Sequence, residues 1–280
     1  MNRRKLFFYV LFFFPSFLLA QLPFVLITIP KAGSHLMIKA LHFLTGTPAI
    51  WHTQFPSFWC IPPDRGFLYT HFCLTEQLEQ NYRCLPELQK IIAIRDLRDV
   101  AVSMVGQIKK NNWPGMSHAL REYFLSLPFD EQLLFVINYE YDVHEVASVA
   151  PNSSQVSLTK IAEQAIAYAK NPSHLVVRYE DLVGPEGGGT FEAQLQALRS
   201  MAEFIQLPYS DEDLEMIACR LYGDKEDPFG RSGFNNFRST FSRGQIGTWR
   251  EVFTEEHKAA FKQRIGFALI ALGYEQDEDW

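Results

Sequence analysis

The chain has 280 residues and only four cysteines, Cys60, Cys73, Cys84 and Cys219. None belongs to a C-x-x-C pair, which excludes the common zinc modules, and four thiols are too few for a disulfide-built scaffold. They read as free, partly buried thiols. In an exported chain Cys60, Cys73 and Cys84 lie close enough in sequence for one bridge, with no pair singled out. Positive charge is also in short supply: 26 Lys plus Arg against 32 Asp plus Glu leave a formal charge of −6. A protein that coats nucleic acid or anionic lipid needs a basic face, so that class is excluded, though a local basic pocket is not. No unit of 20 to 50 residues repeats, and only the glycine run at 187–189 is of low complexity. With 47% hydrophobic and 14% aromatic residues the chain is globular, and its length suits one large domain.

The first twenty residues form a leader. Arg3, Arg4 and Lys5 precede an apolar run at 6–14 that continues past Pro15 and Ser16 to Ala20. That is the layout of a signal peptide, although Leu18 fits the small-x-small cleavage rule poorly. One alternative is an uncleaved anchor reaching residue 29, long enough to span a bilayer. Against it, residues 24–29 read as a fully buried strand, which has no spare face for lipid. A third reading is an N-terminal core helix of a cytoplasmic protein. The first two place the chain on a secretory route or at a membrane, with contact through residues 6–20.

Three β-branched or apolar runs, at 24–29, 90–94 and 174–177, read as strands, each leading into a helix or loop. Strands alternating with helices predict an α/β fold with a central parallel sheet. The pattern predicts helices at 34–44, 99–109, 130–138, 158–169, 191–205, 211–221 and 255–272. Two long irregular stretches, 46–66 and 223–248, have the length of lids or binding loops.

Four segments carry chemistry. The first strand ends in Pro30-Lys31-Ala32-Gly33-Ser34-His35 and enters a helix, the geometry of an anion site: Gly33 admits close approach, free amides open the helix, and Lys31 adds a charge. It lacks the Gly-Lys-Ser/Thr ending of a Walker A loop. The alternative is a tight turn with an exposed lysine. The second strand delivers Arg95, and Ser103 lies two turns into the next helix, so a guanidinium fork and a hydroxyl can share a phosphate. Alternatively, Arg95 and Arg98 pair with Asp96 and Asp99 as a surface ion network. The third segment reads as a strand ending in Tyr179-Glu180-Asp181. The fourth places Arg243 beside Gly244 and Gly247, a flexible basic loop able to close on an anion.

In combination and in order, these segments resemble the cytosolic-type sulfotransferases, which move a sulfuryl group from 3′-phosphoadenosine 5′-phosphosulfate (PAPS) to a hydroxyl or amine. The resemblance covers about residues 24 to 273 and implies a three-layer α/β/α fold akin to P-loop NTPases, with residues 21–280 as the sulfotransferase domain. It implies that Lys31, Ala32, Gly33, Ser34 and His35 form the 5′-phosphosulfate loop. By the same token Arg95 and Ser103 hold the 3′-phosphate, Arg243 and Gly244 belong to the C-terminal phosphate loop, and Tyr179 contacts the adenine side. The family's general base is a histidine in a Thr/Ser-His dipeptide at a strand end, and Thr70-His71 supplies it 24 residues before Arg95. The other histidines read as structural. The resemblance implies that PAPS is the donor, that Lys31 neutralises the departing phosphate and that no metal takes part.

The chain departs from the family pattern in places. Its loop has Ala32-Gly33-Ser34-His35-Leu36 where Ser-Gly-Thr-Thr-Trp is usual, which removes one hydroxyl and an adenine-stacking ring; Tyr222 is a candidate substitute. Ser242 stands where a basic residue is common, and Arg238 is the candidate replacement. Aromatic residues within 51–59 and Trp113 suit an apolar acceptor pocket, and the scarcity of basic clusters favours a phenol, lipid or small alcohol over a polyanionic carbohydrate. Two rivals stand beside this reading: a non-catalytic, membrane-tethered relative that binds PAPS or its product 3′,5′-ADP (PAP), and a nucleotide or sugar kinase of related fold.

Overall fold

In the computed structural model the described residues are 22–51, 66–71, 88–110, 116–139, 157–223 and 244–280. The leader, Arg243, Arg238, Trp113, Cys60, Cys73, Cys84 and residues 52–59 lie outside them.

Five strands form one parallel sheet: β1 (Phe24–Thr28), β2 (Ala49–Trp51), β3 (Phe67–His71), β4 (Gln89–Ile94) and β5 (Leu175–Arg178), in the order β2-β3-β1-β4-β5. The apolar runs become strands because both sheet faces are covered, so successive side chains pointing opposite ways all need to be apolar. Val25, Ile27, Leu68, Ile92 and Ile94 enter one core cluster. Phe24, Leu26, Phe67, Tyr69, Ile91 and Ala93 enter the other.

The first cluster is closed by α2 (Leu97–Lys110), α3 (His118–Ser126), α4 (Phe129–Asn138), α5 (Leu158–Ala169) and α10 (Glu255–Ala271). The second is closed by α1 (Ser34–Thr45), α7 (Phe191–Phe204) and α8 (Asp211–Leu221). The result is the expected three-layer α/β/α sandwich. Fully burying one such aliphatic side chain stabilises the fold by about 1.5–3 kcal/mol, so the two clusters hold the sheet rigid beneath its carboxyl edge.

Local chemistry sets the helix starts. Ser157, Thr190 and Ser210 accept hydrogen bonds from backbone amides of the first turns of α5, α7 and α8, as side-chain N-caps. Two further helices are single turns: α6 (Tyr179–Leu182) and α9 (Trp249–Val252).

The structure corrects three expectations. Arg178 closes β5, and Tyr179 opens α6 instead of ending a strand. The stretch 46–66 is not wholly irregular, because β2 lies in it. Helix α3 was unanticipated, since Phe124 is its single buried residue and its apolar face, Leu120 and Phe124 with Leu125 beside them, is only about one turn long. Among the described residues no helix is long and apolar enough to cross a membrane.

Candidate active site

β1 lies at the centre of the sheet, with β3 on one side and β4 on the other. The chain therefore leaves β1 at the point where connections diverge to opposite sides, and the crevice outside the strands' carboxyl ends is where such sheets bind ligands. Every described candidate residue is found along this edge.

After Thr28 the backbone turns sharply, with Lys31 at φ 66° and Gly33 at φ 78°. Gly33 is the N-cap of α1 and offers no side-chain cap, so the opening amides of the helix are left for a ligand. Two constraints fix glycine here. The left-handed φ disfavours a side chain, and a Cβ would sit 2.2 Å from Cδ2 of Tyr179.

Tyr179 is a hub. Its ring packs on Gly33, the Arg95 guanidinium lies 4.4 Å above that ring, and its hydroxyl donates to the Gly244 carbonyl at 2.8 Å. Arg95 itself donates to the carbonyls of Lys31 (3.3 Å) and Gln245 (2.8 Å), while its buried Nε has no partner.

The ion network weighed against the phosphate reading does form, but in the interior. Arg98 is 1% exposed, donates two ways to Asp96, pairs with Glu275, and lies against the rings of both Trp249 and Trp280. Arg95 and Asp99 approach to 3.5 Å. Asp99 also accepts from the Gly247 amide, the Thr248 hydroxyl and the Trp249 amide, at 2.7, 2.8 and 3.0 Å. It thereby pins the C-terminal loop beside Arg95. Glu180 accepts from the Asp96 amide and the Tyr274 hydroxyl, and burial pushes its carboxyl up.

A cavity of about 260 Å³ is lined by Lys31, Arg95, Ser103, Gln107, Lys110 and Gly244 among others. Lys31 Nζ donates to Gln107 Oε1 at 3.1 Å. Burial, then the charges of Arg95 and Lys110, lower the Lys31 pKa to about 8. A cation held among cations with a neutral acceptor is poised for an anion.

On the other side of β1, the strand register sets Thr28 opposite His71. Thr28 Oγ1 lies 2.8 Å from His71 Nδ1 and 2.7 Å from Ser34 Oγ. Burial first, then Lys31 and His71, lower the His35 pKa to about 4, so that ring is neutral at pH 7. Tyr222 accepts from Gln245 Nε2 at 3.1 Å, which sets it beside the C-terminal loop. Cys219 is a free thiol as expected, but it is exposed on α8 instead of partly buried.

The structure thus brings Lys31, Ala32, Gly33, Ser34, His35, His71, Arg95, Ser103, Tyr179 and Gly244 to one edge. It adds Thr28, Asp99, Gln107 and Gln245, which sequence reasoning missed.

The family described as the sulfotransferase domain matches residues 23–273, and the chain belongs to it. Zebrafish (Danio rerio) sulfotransferase 6B1 is 29% identical over 109 residues, which are 37% of this chain and 33% of that protein. The chain thus matches about a third of that relative's length. The crystal structure of mouse sulfotransferase SULT7A1 complexed with PAP shares the fold, at a TM-score of 0.57 and 14% identity, over 90% of this chain and 88% of that one.

Proposed function

We propose that the protein is a PAPS-dependent sulfotransferase acting on a small molecule with a hydroxyl or amine. One observation carries the reading. A single hydroxyl, Thr28 Oγ1, joins Ser34 of the anion loop to His71, so a base and a phosphate-binding turn meet at the paired ends of β1 and β3.

The residues present suit the donor. A bisphosphorylated nucleotide needs cations, free amides and close backbone approach. The site supplies Lys31 and Arg95, the uncapped start of α1, and the side-chain-free Gly33. The buried, unpartnered Arg95 Nε is a donor awaiting an acceptor. Lys31, Gly33, Ser34 and His35 would hold the 5′ end, Arg95, Ser103, Arg243 and Gly244 the 3′-phosphate, and Tyr179 and Tyr222 the base. PAPS, when bound, supplies the sulfuryl group and leaves as PAP.

Positioning and electrostatics do most of the work in such transfers. Lys31, charged below about pH 8 even before an anion arrives, stabilises negative charge at the leaving oxygen. His71 accepts the proton of the attacking hydroxyl. Arg95 is held by two carbonyls and the Tyr179 ring, so its fork does not reorganise on binding. For acceptor class, the proposal keeps the phenol, lipid or small-alcohol reading of the sequence.

The test is a PAPS-donor assay over a mixed panel of phenols, alcohols and amines, run beside PAP binding and Mg-ATP turnover. Sulfated product with some acceptor is expected. PAP binding without transfer to any acceptor would favour the non-catalytic rival, and ATP turnover the kinase.

A further inference from the structure

We propose that Thr28 is a positioning residue that sets the tautomer of His71 according to whether an anion occupies the Ser34 loop, so that donor binding readies the base. The proposal rests on the sulfotransferase reading above.

The argument is a count of protons. The Thr28 hydroxyl has one hydrogen and two close partners, Ser34 Oγ at 2.7 Å and His71 Nδ1 at 2.8 Å. It can donate to one of them and must accept from the other. If Thr28 donates to Nδ1, that nitrogen is the acceptor, the ring's proton is on Nε2, and the ring's basic electron pair is already in use. If Thr28 donates to Ser34, it accepts from Nδ1–H instead, and the basic pair lies on Nε2.

Ser34 selects between the two. It is the first residue of α1, beside the uncapped amides where an anion sits. A phosphate or phosphosulfate oxygen can only accept, so a Ser34 hydroxyl facing it must donate. The Ser34 oxygen is then left to accept from Thr28, and the chain of donation runs from Nδ1–H to Thr28, from Thr28 to Ser34, and from Ser34 to the anion. Each link has one direction open to it. With no anion, the Ser34 hydroxyl is under no such demand, and both directions remain available.

The surroundings suit a relay built from hydroxyls on a fixed frame. Thr28 is fully buried on the central strand, and its position opposite His71 is fixed by the sheet register. The neighbouring His35 is itself neutral at pH 7. A carboxylate in place of Thr28 would hold the ring in one tautomer permanently. A hydroxyl leaves the choice to the loop.

Thr28→Val keeps the shape of the side chain and removes the relay; Thr28→Ser keeps the relay. For Thr28→Val we expect turnover of a high-pKa alcohol to fall about tenfold to a hundredfold, below the roughly 10²–10⁴ attributable to a general base. PAP affinity should stay within about threefold, and Thr28→Ser should recover most of the rate. The loss should shrink for acidic phenols, which need no base. The direct readout is the ¹⁵N spectrum of histidine-labelled full-length protein. Adding PAP should move His71 to the form protonated on Nδ1, and Thr28→Val should abolish that change. An unchanged tautomer on PAP binding, or a Thr28→Val enzyme with parental turnover of alcohols, would overturn the proposal. A parental chain that binds no PAP would instead remove the underlying reading, and that is seen before any variant is made.

Discussion

Replacing Gly33 with alanine tests whether the anion loop is held open by the tyrosine behind it. At φ 78° an L-residue costs about 1–2 kcal/mol more than glycine. The added Cβ would also lie 2.2 and 2.5 Å from two atoms of the Tyr179 ring, inside any real contact distance. That ring cannot swing aside at little cost, because it is 5% exposed, tied through its hydroxyl to Gly244 and covered by Arg95. Moving it costs about 1–3 kcal/mol in overpacking, plus a net hydrogen bond of about 1 kcal/mol. The expected destabilisation is about 3–6 kcal/mol, a large share of a typical domain's 5–15 kcal/mol. Urea unfolding of four proteins measures it: the parent, Gly33→Ala, Tyr179→Ala and the double variant. With the ring gone, the cost of Gly33→Ala should drop to the backbone share of about 1–2 kcal/mol. The same cost in both backgrounds would show that Tyr179 does not dictate glycine, and the hub would lose its main support.

Three further outcomes are expected. His71→Ala should bind PAP normally, with a defect that shrinks as the acceptor's pKa falls, whereas the defect of Lys31→Ala should persist across the series and include weaker donor binding; equal, acceptor-independent defects would refute that division of roles. The His35 pKa is lowered from 6.5 to about 4, so the unfolded state takes up the proton first, and His35 should cost the fold up to roughly 3 kcal/mol as pH falls through that window. Urea midpoints of the parent and His35→Gln should therefore diverge between pH 7 and pH 4.5, and parallel curves would contradict this. Intact mass of the protein recovered from expressing cells tests the export reading, for which loss of the leader or recovery with membranes is expected; a soluble cytoplasmic product retaining Met1 would refute it.

Much of the fold was legible because its signals are local. The strands of a sheet covered on both faces are built on continuous apolar runs, as at residues 24–27 within β1 and 91–94 within β4. Helices Leu158–Ala169 and Asp211–Leu221 match expectation at both ends, since Ser157 and Ser210 mark their starts. A three-residue strand such as Ala49–Trp51 is too short to show a period. Helix α3 shows an apolar face only about one turn long, and it is held by packing around Phe124 and by Gln132, which donates to the Phe124 carbonyl. Sequence carries no local sign of contacts of that kind.

The site divides along the same line. Residues that carry the chemistry were visible because phosphate and proton chemistry demands particular types at strand ends: lysine and glycine after β1, histidine at the end of β3, arginine after β4. Residues that hold them in place were not. Asp99 reads as half of an exposed arginine–aspartate repeat until the fold brings the loop at Gly247, 148 residues away, onto its carboxylate. Gln107 is an ordinary helix residue until α2 packs beside β1 and gives Lys31 a neutral acceptor. Thr28 reads as one β-branched strand former among several, and its hydroxyl gains meaning from a parallel register that pairs it with His71. Each supporting contact joins segments brought together only by tertiary packing, so its residue type is constrained by one partner and not by a pattern. Substitutions at these three positions should therefore alter the geometry of the site while leaving every sequence motif of the family intact.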